Sequence, residues 1–235
     1  MGKASRLFNG DIEENLHERI TPNEEQVEFL RFQWNELADY LVDELKRYGY
    51  PVSTWIQGSY KFNTLIKPLL KNQTYDVDLG VYFSESSKQA NNFFPRTLRD
   101  WVQDCLLSYE SQCEEAVKIE MPPKERCSRI SFKNHFHIDT PVYYLREASN
   151  SRHLACYSNI WEGSDPKLIY IWFKEAVREE HRGQLRRLIR YLKAWSIVAF
   201  EATPNSRITS ISLTVVVTQE YKNSLRLDIQ EMSDD

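Results

Sequence analysis

From Thr21 to Pro51 the apolar side chains fall at Val27, Leu30, Trp34, Leu37, Leu41, Leu45 and Tyr48. This three-and-four spacing places them on one face of a helix. Thr21-Pro22-Asn23-Glu24 supplies an N-cap, a proline at the first helical position and a capping-box glutamate, and Gly49 and Pro51 end the run. The pattern therefore predicts one long core-packing helix. A short strand over Val52 to Ile56 then runs into Gln57-Gly58-Ser59, where the backbone can turn sharply and present N–H groups. Between Tyr75 and Phe83 the period changes to two. Val77, Leu79, Val81 and Phe83 project to one side, and Asp76, Asp78, Gly80 and Tyr82 to the other.

A helix is expected across Phe93 to Cys113, followed by strands over Cys127 to Phe132 and Phe136 to Tyr144, joined at Lys133-Asn134. The last third is mainly helical. It opens near Ser164-Asp165-Pro166 and continues through Arg182 to Phe200, with Leu185, Leu188, Ile189, Leu192 and Trp195 as the buried stripe. Arg186, Arg190 and Lys193 recur on the opposite side, by default a solvated face. Ile208 to Val217 is rich in β-branched residues and favours a strand by propensity alone. No internal repeat or low-complexity segment breaks the chain. The fold class is thus α+β: a mixed sheet flanked by helices over residues 1–160, then a helical lobe over residues 161–235.

With 235 residues and 41% apolar composition the chain can bury a substantial core. Thirty Lys and Arg against 34 Asp and Glu give a net charge of -4, which offers no general attraction to long nucleic acid. Four cysteines without a CxxC pair, and the lack of any apolar span or leader, point to a reducing cytoplasmic setting without a membrane partner.

The chemistry lies in the carboxylates. Asp76 and Asp78, at i and i+2 on one strand face, stand about 7 Å apart, near enough to converge on one divalent cation. A third acidic group on a neighbouring strand would complete a two-metal site for phosphoryl transfer, and Asp139 is the candidate. A D-x-D pair by itself is often only a solvated polar face. What raises its meaning is the order of features: a glycine-serine turn after one strand, an acidic pair on the next, a further aspartate on a third. The Gly58-Ser59 turn can offer backbone N–H groups to phosphate without being a P-loop, because no G-K-[ST] follows. A rival reading takes alternating His135, His137 and Asp139 as zinc or iron ligands, but no cysteine pair or second histidine motif completes that set.

Several of these segments resemble one family. Gln57-Gly58-Ser59-Tyr60-Lys61-Phe62-Asn63-Thr64 and Asp76-Val77-Asp78-Leu79-Gly80-Val81-Tyr82 resemble the active-site signature of bacterial cGAS/DncV-like dinucleotide cyclases. His137-Ile138-Asp139-Thr140-Pro141-Val142-Tyr143 is similar to the family's third-aspartate strand, Ser164-Asp165-Pro166 with Trp172-Phe173 to the segment before its helical lobe, and Arg186 to Trp195 to its lysine-bearing helix. Ser210-Ile211-Ser212-Leu213 resembles the start of the next helix, so the resemblance calls for a helix where propensity favours a strand.

The resemblance implies a polymerase-β-like nucleotidyltransferase fold, with two Mg²⁺ or Mn²⁺ ions held by Asp76, Asp78 and Asp139. It also implies ATP, GTP or other nucleoside triphosphates as substrates. The product would be a cyclic di- or trinucleotide that activates an effector in antiphage (CBASS) defence, with a regulatory protein as a further partner. Gln57, Gly58, Ser59 and Tyr60 would lie against the donor nucleotide. Arg129 would contact nucleotide, with Arg126 an alternative alignment. Ser164, Lys193 and Ser210 would meet base, triphosphate, and ribose or phosphate respectively. The family continues with further helical sequence past the segment Ser210 to Tyr221, so the helical lobe is expected to be incomplete relative to it, or natively short. Beside cyclisation stand three rivals: a linear oligonucleotide synthase or RNA or protein nucleotidyltransferase, a regulatory nucleotide-binding module, and an interaction protein with a merely solvated acidic face.

Overall fold

The computed structural model describes residues 6–8, 10, 15–71, 73–84, 94–133, 135–146 and 149–231, and the side chains among these up to residue 225. The expected Phe93 and Asn134 boundaries lie outside the described residues. By internal contacts the chain forms two compact units, each assembled from distant segments. One comprises Glu25–Tyr60 and Thr74–Pro166. The other comprises Met1–Glu24, Lys61–Gln73 and Lys167–Asp235.

The first unit is built on a mixed eight-stranded sheet: β1 Val52–Gln57, β2 Tyr75–Ser84, β3 Ala116–Ile119, β4 Ser128–Phe132, β5 Phe136–Thr140, β6 Val142–Arg146, β7 Ser151–Ala155 and β8 Trp161–Gly163. Strand β2 carries the predicted alternation, with Val77, Leu79, Val81 and Phe83 fully buried. It pairs antiparallel with β1, and on its other edge in parallel with β5 and then β6. The single strand expected over Phe136 to Tyr144 is two strands, because Pro141 interrupts it and has no N–H to give to a ladder. Its carbonyl still accepts from Val81 N–H at 2.9 Å, so β2 passes from one partner to the next without a gap.

A short helix α1 (Leu16–Ile20) precedes the long helix α2 (Glu24–Leu45). Thr21 does not open α2. Its N–H bonds to His17 O at 2.9 Å and closes α1, so the long helix starts at Glu24. Leu30, Leu37, Leu41 and Leu45 are buried as the spacing predicts, while Val27 stays at the margin at 36% exposure. Helix α4 (Pro95–Glu110) is joined to this region by Tyr40 against Tyr109, and by Tyr48 stacked on Trp101 with centroids 4.1 Å apart. Between β1 and β2 lies the one-turn helix α3 (Gly58–Lys61).

The second unit contains α1 together with α5 (Pro166–Glu175), α6 (Glu179–Ala199) and α7 (Ser210–Glu231). Phe62, Phe173, Val177, Leu185, Ile189 and Val217 form its core, with Phe62 stacked on Phe173. Two expectations need correction here. Leu192 and Trp195 are exposed, whereas Arg190 and Lys193 are buried. The irregular stretch after α3 has carbonyls that no ladder satisfies, and the long basic side chains turn inward to bond them. Arg190 donates to Leu65 O at 3.2 Å and to Asn63 O and Oδ1 at 2.8 and 3.1 Å. Lys193 Nζ donates to Thr64 O at 3.2 Å and to Thr64 Oγ1 at 3.0 Å. The second correction is to propensity: the β-branched stretch Ile208 to Val217 runs into helix α7, as the resemblance implied. Thr214 and Thr218 hydroxyls bond back to the carbonyls of Ser210 and Thr214 at 2.8 and 2.6 Å, which reconciles threonine with a helix, while Leu213 and Val217 are buried. No described helix is long and apolar enough to cross a membrane.

Candidate active site

Register explains how the sheet gathers polar side chains. Gln57 on β1 lies opposite Asp78 on β2, Asp78 beside Asp139 on β5, and Asp139 opposite Arg129 on β4. One residue row thus crosses four strands, and residues in register project from the same face. The next row on that face, two residues along, brings Asp76 beside His137. All three predicted carboxylates therefore share one face of this unit.

The turn after β1 is shaped around Asp78. Gly58 has φ +63°, a left-handed conformation natural to glycine. A Cβ placed on it would lie 1.8 Å from Asp78 Oδ2 and 2.8 Å from Asp78 Cγ. The glycine is thus required twice, by its backbone conformation and by the close approach of a carboxylate. Gly80, further along β2, is similarly crowded. A Cβ there would meet the Tyr82 ring at 2.8 Å and Gln57 Oε1 at 3.0 Å. Tyr82 stacks on Tyr143 with centroids 4.8 Å apart. Its hydroxyl donates to Gln57 Oε1 at 3.3 Å, and Gln57 Nε2 donates to the Tyr143 oxygen at 3.2 Å. Burial, chiefly, pushes the Tyr143 phenol up to about 12, and Ser164 also hydrogen-bonds that hydroxyl.

Asp139 is held on its other side. Arg129 Nε and Nη2 donate to its two oxygens at 2.5 and 2.7 Å, a bidentate pair, and Lys124 Nζ lies 3.7 Å from Oδ2. Glu120 stands near both cations, 3.7 Å from Lys124 and 3.9 Å from Arg129. Asp76 has a half-exposed side chain and accepts a hydrogen bond from His137 Nε2 at 2.7 Å. Arg129 Nη2 stands 3.8 Å from Asp76 Oδ1. Burial opposes the Asp76 charge, but the hydrogen bond and electrostatic pull of His137, together with the positive charges of Arg129 and Lys124, outweigh it and hold the carboxyl below its usual range.

One ligand atom from each of Asp76, His137 and Asp139 lies within 4.8 Å of the others, with Asp78 next to Asp139 in register. A set dominated by carboxylate oxygens fits a hard divalent cation such as Mg²⁺ or Mn²⁺. The rival set of His135, His137 and Asp139 is not brought together as a ligand cluster among the described residues. His135 has φ 57° in the turn before β5, which breaks its alternation with His137.

The remaining predicted residues are distributed as follows. Ser59 and Tyr60 lie in α3 beside Gly58, and the Tyr60 hydroxyl donates to Val27 O at 3.4 Å. Lys193 and Ser210 belong to the second unit, Lys193 buried against Thr64 and Ser210 exposed at the first residue of α7. Arg126 pairs with Glu162 rather than with a site carboxylate, so Arg129 is the arginine at Asp139. Thr74, whose Oγ1 lies 2.6 Å from His137 Nδ1, and Lys124, Glu120 and Tyr143 join the arrangement without having been singled out as site residues. The sequence signal for Tyr143 was its place in the third-aspartate strand, and for Thr74 its position directly before β2. Lys124 and Glu120 carried none.

Residues 52–143 match the family model described as Cyclic GMP-AMP synthase DncV-like, nucleotidyltransferase domain. A cyclic GMP-AMP synthase of Escherichia albertii is 34% identical over 230 residues, covering 96% of this chain and 50% of that protein. A c-di-GMP synthase of Roseivirga ehrenbergii is 23% identical over 252 residues, covering 92% of this chain and 63% of that protein. The chain thus spans about half the length of the first of these curated relatives. Escherichia coli DncV, in a 3'-deoxy GTP bound form, superposes with a TM-score of 0.74 at 20% identity, over 91% of this chain and 72% of that one. Vibrio cholerae DncV in complex with the linear intermediate 5' pppA(3',5')pG gives 0.71 at 18% identity, over 87% and 70%. With the sheet, the three carboxylates on one face and these matches together, the chain belongs to the bacterial cGAS/DncV-like nucleotidyltransferases.

Proposed function

We propose that this chain carries the nucleotidyltransferase centre of a cyclic dinucleotide synthase, joining nucleoside triphosphates with release of pyrophosphate. The observation that supports the reading is that Asp76, Asp78 and Asp139 share one sheet face beside a glycine-ended strand turn, with ligand atoms of Asp76 and Asp139 within 4.8 Å of each other. The naming of its relatives as cyclic GMP-AMP and c-di-GMP synthases supports the choice of product class. The same relatives support ATP and GTP as substrates, and the antiphage signalling role implied by the family resemblance is included in the proposal.

Asp76, Asp78 and Asp139 would hold two divalent ions, Mg²⁺ or Mn²⁺. When bound, such ions neutralise the triphosphate and lower the pKa of an attacking ribose hydroxyl. The chain's own residues then do the rest. Gly58 and the following N–H groups of α3 offer donors to phosphate oxygens. Gln57, fixed between Tyr82 and Tyr143, holds the edge of the donor pocket. Arg129 is paired with Asp139 in the structure and carries a planar fork suited to phosphate, so it can pass from carboxylate to nucleotide as the site fills. Lys193 and Ser210 are assigned to the triphosphate and to ribose or phosphate, and Ser164 to the base. No covalent enzyme intermediate is needed, because positioning and charge neutralisation suffice.

The test is binding of GTP and ATP by equilibrium dialysis, with and without Mn²⁺, in the native chain and in the Asp76→Asn, Asp78→Asn double variant. Metal-dependent binding lost in the variant is expected. Equal binding in all four conditions would remove the assignment of these carboxylates.

A further inference from the structure

Asp76 is the predicted metal ligand with the most open surroundings: its side chain is 54% exposed. A carboxylate so placed can sample several rotamers, and each wrong one costs the centre a ligand. The hydrogen bond the structure gives it comes from the neighbouring strand. His137 stands beside Asp76 in parallel register, is only 8% exposed, and its Nε2 lies 2.7 Å from Asp76 Oδ1. The far side of the ring is also held, with Nδ1 2.6 Å from Thr74 Oγ1. Thr74 directly precedes β2, so from the neighbouring strand the imidazole bridges a residue of β2 and the residue just before that strand.

The protonation pattern follows from the partners. An ionised Asp76 can only accept, so Nε2 carries the hydrogen, and in the neutral ring Nδ1 accepts from the Thr74 hydroxyl. Both ring nitrogens are therefore committed to oxygen partners. We propose that His137 is a positioning residue for the metal centre: it fixes Asp76 through Nε2–H to Oδ1, leaves the second carboxylate oxygen for the cation, and is itself locked in tautomer and orientation by Thr74. This rests on the reading of Asp76 as a metal ligand. It departs from direct ligation by His137, which the closeness of its ring to Asp139 also allows. A hard cation prefers the carboxylates, and a ring pinned at both nitrogens serves as an outer partner.

The experiment measures Mn²⁺ affinity of the full chain by calorimetry, without nucleotide. It compares the native protein with His137→Leu, His137→Gln, Thr74→Val and Asp76→Asn, with thermal unfolding recorded for each. Outer partners of metal ligands are worth about 10- to 100-fold in affinity. His137→Leu is expected to weaken binding within that range, and Thr74→Val, which leaves the Asp76 contact in place, by about 10-fold at most. His137→Gln keeps an N–H donor at the distance of Nε2 and is expected to bind within about 3-fold of the native chain. Electron paramagnetic resonance of the bound Mn²⁺ is expected to show no directly bonded nitrogen. If His137→Leu does not fold, Thr74→Val, His137→Gln and the nitrogen coupling decide the matter. Native affinity in both His137→Leu and Thr74→Val, or strong nitrogen coupling, overturns the positioning role. Native affinity in Asp76→Asn overturns the metal-ligand reading beneath it.

Discussion

Replacing Gly58 with alanine separates the two demands placed on that residue. An L-residue forced into the left-handed region costs about 1–2 kcal/mol, which for a domain of this size lowers Tm by about 2–8 °C. The new methyl group also meets Asp78 Oδ2 at 1.8 Å, so the carboxylate must withdraw by about 1.6 Å to reach the 3.4 Å of ordinary contact. Because the crowded atom is the end of a rotatable side chain, the chain survives. The Asp78 ligand does not keep its place. A misplacement of about 1 Å can cost on the order of 10²-fold in turnover, so the expected result is a modest Tm loss with a disproportionate loss of Mn²⁺ affinity and activity. Calorimetry for the metal and differential scanning fluorimetry for stability read the two effects separately. Asp78→Ala provides the control: in that background Gly58→Ala retains the backbone penalty but has no further effect on metal binding, since the atom it displaces is gone. A Gly58→Ala protein with native Mn²⁺ affinity would refute the contact on which this reasoning depends.

Three other outcomes are expected. Arg129→Ala leaves Asp139, a 9% exposed residue, with Lys124 at 3.7 Å as its remaining ion-pair partner among the described residues; loss of two charge-assisted hydrogen bonds is expected to destabilise by about 2–3 kcal/mol in urea unfolding, and Arg129→Lys does not restore it because a point charge cannot bridge both oxygens. Arg190→Met strands the carbonyls of Asn63 and Leu65 and is expected to destabilise by about 2–4 kcal/mol, with protease cleavage moving into the segment after α3; unchanged cleavage there counts against the inward role of the arginine. Burial chiefly pushes the Cys105 and Cys156 thiols up to about 11 and Cys127 to about 12. Below those values the thiol form dominates, so at pH 8 all three are expected to react slowly with a thiolate-selective reagent in the native chain and quickly in urea, as labelling followed by mass spectrometry would show.

The regions of the fold that the sequence made legible are those where one periodicity dominates. Helix α2 and strand β2 show their buried faces through leucine spacing and strict alternation, and the shared face of Asp76 and Asp78 follows from the same period of two. The placement of Asp139 beside Asp78 depends on interstrand register, to which spacing along a single chain is blind. Helix α6 misled for a different reason. An amphipathic reading sends charge outward, but Arg190 and Lys193 serve carbonyls of a segment without periodic pattern, so their burial is decided by a distant partner. The same holds for Gly58, which read as a turn residue while its close approach to Asp78 is a tertiary fact. His137 was visible as a member of a rival metal set and at the start of the third-aspartate segment, with no role at Asp76. Its bond to Asp76 belongs to the pairing of β2 with β5, and its hold on Thr74 to the residue just outside that strand.

The most direct test of the central claim is to incubate the chain with the four ribonucleoside triphosphates and Mg²⁺ or Mn²⁺, and to read products by mass spectrometry beside the Asp76→Asn, Asp78→Asn variant. The account predicts pyrophosphate and a phosphatase-resistant product with the mass of a cyclic dinucleotide, both absent from the variant. Native and variant chains giving identical traces without pyrophosphate would contradict it.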